Sequence, residues 1–359
     1  MKKHFLRLLV PFLGLFGAMW LMAAMAETDD RPIVYFSREI SSTKLVELYN
    51  KLGFKPEGKL GVKIHFGEAG NENYIPPALL EKLVTNLKGT FVETNTIYGG
   101  SRGDTKSHLQ TAREHGWTYA PIDILDSEGE TTMPCKGRYF DKVYVGKGMA
   151  KYDSFLVISH FKGHGTSGFG GTIKNLAMGF GSQTGKRVQH SGQIPNIVRG
   201  RCMKCGTCRR VCPVDAIDEN FNIDRAKCIG CGKCKSYCPF NAVEAASGPT
   251  KGPVFQEKLA EYARGVTSRG KFAYINLAMN ISKFCDCSAT APKPFIGDVG
   301  ILASNDPVAL DQASFDMVNK KAGLPDAFQH ENGVSGQHAL EYAETLGLGS
   351  RQYRLIEVE

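Results

Sequence analysis

The sequence predicts an α/β protein: a mostly parallel sheet flanked by helices, interrupted by a small cysteine-rich module. Three observations predict it. Short apolar runs alternate with helix-like stretches in both flanks, as repeating strand–helix units do. The run Phe155-Leu-Val-Ile158 is apolar throughout, as a strand covered on both faces is. Between the flanks, a cysteine-rich passage of 16 residues is written twice.

The elements follow in order. The stretch from Pro32 to Phe36 reads as a strand, and Ser41 to Leu52 as a helix with hydroxyl residues at its start and Gly53 past its end. Gly61 to His65 is a second strand. Pro76 and Pro77 open a helix through Leu87, because proline suits a first helical turn. Strand Thr90 to Glu93, helix Thr105 to His115 stopped by Gly116, and strand Ser154 to His160 continue the alternation. A glycine-rich loop then leads to a helix beginning near Thr172. Beyond the module come helix Val254 to Val266, strands Lys271 to Leu277 and Asp298 to Ala303, and helix Pro307 to Lys320. The expected organisation is residues 27–195 and 249–359 as two parts of one α/β domain, with residues 196–248 as the insert.

Hydrophobic content of 42% and charged content of 22% describe a globular chain. Residues 1–26 read as a signal peptide: Lys2, Lys3 and Arg7, an apolar run from Leu8 to Leu21, then Ala24-Met-Ala26. The competing reading is an uncleaved anchor, for which the apolar run is short against a span of about 20 residues. Removing the leader lowers the formal charge from +8 to +5. The mature chain is then expected to be exported, to the periplasm, with no transmembrane span after cleavage. Lys2-Lys3 stands where a twin-arginine signal would carry two arginines, so the export route stays open. No nucleic-acid-binding motif is present.

The repeat carries the chemistry. Cys202-Met-Lys-Cys-Gly-Thr-Cys-Arg-Arg-Val-Cys-Pro returns 26 positions later as Cys228-Ile-Gly-Cys-Gly-Lys-Cys-Lys-Ser-Tyr-Cys-Pro. Each half has the spacing Cys-x2-Cys-x2-Cys-x3-Cys-Pro, in which three thiolates wrap one cubane and the fourth reaches the other. The expectation is a small α+β ferredoxin-like module with two [4Fe–4S] clusters. Cys202, Cys205, Cys208 and Cys238 would hold one, and Cys228, Cys231, Cys234 and Cys212 the other. Zinc sites or a disulfide knot compete, but zinc motifs pair two short Cys units across a longer gap. Nine Lys/Arg against five Asp/Glu in residues 197–247 would raise the cluster potentials or form a docking surface.

A second constellation runs from Ile158 through His160, Lys162, His164, the glycines to Gly171, and Lys174. Ligands in open α/β sheets bind where strand ends meet loops. A helix start preceded by glycines would offer free amides to an anion. His65 ends another strand, and Lys63 or Glu68 could join it there. Converging imidazoles with a carboxylate could bind an additional metal ion, serve proton transfer, or be structural. His190, Cys285 and Cys287 are further metal candidates; the two thiols could equally be a redox pair or inert. Solitary Cys135 reads as a small buried hydrophobe. Asp306 reads as a helix N-cap, with Asp311 a weaker candidate for the pocket.

Lys162-Gly-His164 with Gly-Gly-Thr-Ile-Lys174-Asn175-Leu-Ala-Met-Gly, Phe284-Cys-Asp-Cys287 and Asp298-Val-Gly-Ile-Leu-Ala-Ser-Asn-Asp306-Pro-Val-Ala-Leu-Asp311 resemble a family of uncharacterised iron–sulfur centre proteins. Their ferredoxin module is inserted in, or absent from, an α/β body. The resemblance spans nearly all of the mature chain and implies the fold and clusters, but no reaction. The function expected is therefore an exported iron–sulfur oxidoreductase passing electrons to or from a site lined by His65, His160, Lys162, His164 and Lys174. Its partner would be a redox protein or a small-molecule substrate. The rival is a non-catalytic electron-transfer partner whose body only docks another protein.

Overall fold

The computed structural model describes residues 29–190, 194–244, 252–290 and 292–359, so the expected leader lies outside the described residues. The first flank contributes β1 (Ile33–Ser37), α1 (Ser42–Lys51), β2 (Leu60–Lys63), α2 (Pro77–Leu87), β3 (Thr90–Glu93), α3 (Thr105–Glu114) and β4 (Ile122–Ile124). The hairpin β5 (Glu130–Pro134) and β6 (Lys142–Gly146) leads into β7 (Ser154–His160). A short hairpin, β8 (Lys162–His164) and β9 (Gly168–Gly170), precedes α4 (Thr172–Phe180) and α5 (Gln183–His190). The cysteine-rich insert holds β10 (Asn196–Ile197), α6 (Thr207–Arg210), α7 (Lys233–Ser236) and β11 (Val243–Glu244). The second flank adds α8 (Pro253–Val266), β12 (Lys271–Ala278), β13 (Gly300–Ser304), α9 (Pro307–Ala322), α10 (Ala327–Asn332), α11 (Gln337–Thr345) and β14 (Arg354–Glu357).

Strands from both flanks share one eight-stranded sheet, in the order β14-β1-β13-β12-β7-β2-β3-β4. Only β13 runs antiparallel to its neighbours in this sheet; the remaining pairings are parallel. Alternation along β7 explains the two layers. Phe155 and Val157 face a core built with α4, α8 and α9, while Leu156 and Ile158 face one built with α1 and α2. Residues 32–359 form one compact unit. In the other unit, Met1–Arg31, Arg31 pairs with Asp29 at 2.8 Å. Among the described residues no helix is long and apolar enough to cross a membrane.

Local chemistry sets the helix starts. The Ser41 hydroxyl accepts from the Lys44 amide at 3.2 Å, and Asp306 accepts from Val308 and Ala309 at 2.8 and 2.9 Å, as an N-cap should. The start of α4 corrects the expectation of free amides. Asp311, on α9 and fully buried, accepts from the Thr172 and Ile173 amides at 2.7 and 2.8 Å. A carboxylate of the chain itself therefore occupies the place expected for an anionic ligand, and Asp311 does not line the pocket. Asn276 also donates to it at 2.8 Å, although burial pushes the acid up to about 6. Asp311→Ala should cost about 1–3 kcal/mol for each buried donor left unsatisfied. A lowered denaturant midpoint at unchanged m, only partly restored in Asp311→Asn, which keeps one of the two acceptor oxygens, is the expected result.

The glycine-rich passage after His160 also differs from expectation, since it is a hairpin and not an open loop. Helix α5 had no legible periodicity: Gln183-Thr-Gly-Lys-Arg-Val-Gln-His190 holds one aliphatic side chain. Packing selects it. A Cβ at Gly185 would lie 2.2 Å from the Tyr144 carbonyl oxygen, so only glycine lets α5 approach β6 this closely.

Candidate functional site

The parallel strands β2, β3 and β7 end on the same side of the sheet, and each delivers a polar residue there: Lys63 and then His65, Glu93, and His160. Between them lies a cavity of about 260 Å³ whose lining includes His65, Glu93, Arg102, His160, Lys162, His164, Lys174, Lys186, His190 and Cys287. All five residues predicted for the catalytic site are brought together here, and His190 and Cys287 join them.

Asp286 organises the floor. Its carboxylate is fully buried and lies 3.0 Å from Lys162 Nζ, 3.1 Å from His160 Nδ1 and 3.4 Å from His65 Nδ1. Burial alone would raise this acid, but His65, Lys162 and His160 hold it well below the usual carboxylate range. Burial alone would likewise lower the Lys162 ammonium, yet Asp286 and Cys285 raise it. His160 Nε2 meets the Met279 carbonyl at 2.7 Å, so both ring nitrogens face acceptors and neither is free to ligate a metal. His160 is thus an anchoring residue. His65 is kept neutral by burial, which outweighs Asp286, and its Nε2 lies 3.1 Å from Arg102 Nη1.

Two further buried ion pairs frame the cavity. Lys63 Nζ contacts Glu93 at 3.0 Å and Asn175 Oδ1 at 2.7 Å. Burial opposes ionisation of Glu93, but Lys63 and Lys186 hold it down to about 2. Arg102 meets Glu68 at 3.1 Å and donates to the Tyr98 hydroxyl at 2.6 Å. Among the described residues Lys186 has no carboxylate in salt-bridge contact; it donates to Thr94 Oγ1 and to the Gly181 carbonyl, the latter at 2.8 Å. Burial lowers its ammonium to about 8.

The opposite wall holds His164, His190 and Lys174. Ser167 Oγ lies 2.8 Å from His164 Nδ1, and the Ser167 amide donates to that nitrogen at 3.2 Å, leaving Nε2–H as the free donor. Burial, then the Lys174 charge, keeps both imidazoles neutral, His190 at about 4. Lys174 Nζ lies 3.6 Å from Cys285 Sγ. Among the described residues no three His, Cys, Asp or Glu side chains converge to hold a single metal ion. Cys135 is buried, and its thiol donates to the Glu261 carbonyl at 3.3 Å.

In the insert, Cys202, Cys205, Cys208 and Cys238 line one small cavity, and Cys212, Cys228, Cys231 and Cys234 line another. No disulfide joins any of them. The halves match in detail. Gly206 and Gly232, at φ +75° and +70°, start α6 and α7, and the Ala216 and Ala242 amides donate to Cys212 and Cys238 sulfur, each at 3.3 Å. Four thiols around an apolar hollow, with amides aimed at sulfur, form a donor set that suits an iron–sulfur cubane. Ile229 and Cys231 pack against the body's core, whereas Cys205 is exposed, so the second cavity is the nearer one to the body.

Sequence reasoning missed Asp286, Arg102, Glu93 and Lys186. Asp286 lay in view between two cysteines, and its signal was weak because nothing in the local pattern shows that a lysine and two histidines converge on it. Lys63 carried a better signal, a charge inside an otherwise apolar strand.

The fold and site define a class: a helix-flanked, mostly parallel α/β body with a polar, cation-rich cavity at its strand ends. The model of a family described as a domain of unknown function (DUF362) matches residues 60–316, and the chain belongs to that family. Among solved structures the chain is similar to the lactate racemase apoprotein from Thermoanaerobacterium thermosaccharolyticum, at 10% identity and a TM-score of 0.40, covering 81% of this chain and 57% of that one. It is also similar to a protein from Thermotoga maritima solved by a structural genomics consortium, at 8% identity and a TM-score of 0.40, covering 79% and 58%. The chain thus spans less than two thirds of either structure's length. No curated protein matches it.

Proposed function

We propose that this chain is an exported iron–sulfur oxidoreductase that acts on a small anionic molecule held in the cavity. Two [4Fe–4S] clusters in the insert would supply one-electron transfer. The observation that carries the reading is the sorting of eight unpaired thiols into two sets of four, the crossed sets that the sequence spacing predicts.

The chain's own residues support the rest. Lys162, Lys174, Arg102 and Lys186 surround the cavity, and neutral His164 offers an N–H donor, an arrangement suited to an anion. Helix α5 links the two regions. Lys186 and His190 line the body's cavity, Arg187 donates to Ser236 of α7 at 3.1 Å, and Pro195 lines the nearer cysteine cavity. Phe255 stacks on His190 with ring centroids 4.8 Å apart.

A non-catalytic electron-transfer partner is the second reading. It is favoured by the exposed Met203, Tyr237 and Phe240 on the insert, close in sequence to Lys204 and Lys235, where a redox partner protein could dock. Two measurements decide. Anaerobically purified protein should hold about eight irons and eight sulfides and show a cluster EPR signal after reduction; zinc or cystine instead would overturn the iron–sulfur reading. Titration calorimetry with small mono- and dicarboxylates and inorganic phosphate should find a ligand whose affinity falls about 10- to 100-fold in Lys174→Met. The affinity should also fall as pH rises through about 8, where Lys186 loses its proton. If no anion binds while electron transfer to protein partners persists in Lys174→Met, the body is a docking module.

A further inference from the structure

The motif Phe284-Cys-Asp-Cys287 has no part in the cluster module, yet it sits in the wall of the body's cavity. The Ser288 amide donates to the Cys285 carbonyl at 3.3 Å, which makes residues 285–288 a tight turn. Asp286 at its corner is locked by Lys162, His160 and His65, so the turn cannot swing. Two residues fully extended span roughly 7 Å between Cα atoms, at the limit for a disulfide. Folding them into a turn shortens that span and puts both sulfurs on one side. The Cys287 amide donates to Cys285 Sγ at 3.4 Å, and Lys174 Nζ stands 3.6 Å from the same sulfur. Cys285 is buried, whereas Cys287 faces the cavity.

We propose that Cys285 and Cys287 form a redox-active dithiol that stores two electrons at the cavity by closing reversibly to a disulfide. This rests on the oxidoreductase reading above. The balance is simple. From Cys285 thiolate and Cys287 thiol, one S–S bond forms, two electrons leave, and the single Cys287 proton passes to solvent. The oxidant would be one-electron iron–sulfur centres of the class that the insert's two cysteine sets would hold, one electron to each, and the reverse reaction takes the electrons back with one proton. A pair of this kind converts single-electron deliveries into a two-electron change beside a bound substrate. Electrostatics support the reactive form. The Cys287 thiol bonds to Cys285 sulfur and, with Lys174 and Lys162 close by, holds Cys285 well below the usual thiol range despite burial and Asp286. Cys287, carrying the shared proton beside that thiolate, is pushed well above it.

The test uses the full-length, anaerobically prepared protein equilibrated in glutathione buffers from fully reduced to fully oxidised. Samples are quenched in acid, alkylated with N-ethylmaleimide and analysed by mass spectrometry, with iron and the cluster EPR signal measured on the same material. The expected result is a peptide carrying residues 285 and 287 that loses both labels together and has a mass about 2 Da below that of the unlabelled dithiol peptide. The change should reverse on reduction and follow two-electron dependence. Cys287→Ser should abolish it while leaving iron content and the cluster signal unchanged. Two alkylated cysteines at every ratio, in protein whose clusters are intact, would overturn the dithiol alone. Loss of iron in Cys287→Ser would overturn it too, by making the pair metal ligands. A reversible disulfide in protein without iron would keep the dithiol and remove the cluster reading.

Discussion

Asp286→Ala should unfold with about 3–5 kcal/mol less stability than the parent, the largest single-residue loss expected in the body. The alanine leaves Lys162 buried without its counter-charge and His160 Nδ1 without its partner, and a buried cation stripped of its partner is costlier than an absent pair. The acid dependence has a definite sign. Asp286 is held well below its ordinary range in the folded chain, so its stabilisation is fully present above about pH 4 and fades as pH falls further. The gap in denaturation free energy between the parent and Asp286→Asn should therefore be widest near neutral pH and narrow towards pH 3. A gap that stays constant across that range would mean the carboxylate charge is not what the three partners hold.

On the proposed two-cluster reading, Cys212→Ser and Cys238→Ser should each halve the bound iron and sulfide, from about eight of each to about four. The informative outcome is which cluster goes. Cys212 lies in the first repeat but lines the cavity of Cys228, Cys231 and Cys234, so its loss should spare the cluster that Cys202, Cys205, Cys208 and Cys238 would hold. Cys238→Ser should do the reverse. Because the nearer cavity adjoins the body through Ile229 and Cys231, reduction of a ligand in the body should stop in Cys212→Ser and persist in Cys238→Ser. Loss of all iron in both variants would show that the halves cannot be loaded independently.

Much of the fold was legible because local pattern and burial agree along it. Strands β3 and β7 fall on the predicted residues, and α2, α4 and α9 start where proline, glycine or aspartate announces them. Legibility failed where packing overrides pattern. The β5 strand, Glu-Thr-Thr-Met-Pro, exposes most of its side chains, and α5 is shaped by the glycine that lets it meet β6. The predicted site residues do share a cavity, but their roles changed on folding. His160 is fixed at both nitrogens, and the amides that start α4 are taken by Asp311, more than a hundred residues away in sequence.

The sequence by itself determined the alternation that builds the sheet, the two matching cysteine repeats, and the short list of polar residues at strand ends. These are local properties, written in spacing and residue type. The tertiary structure alone decided which charges meet: Asp286 with Lys162, Glu93 with Lys63, and Glu68 with Arg102. A buried ion needs its partner from wherever the chain returns, and the return path is fixed by sheet order and helix packing, which no local pattern encodes.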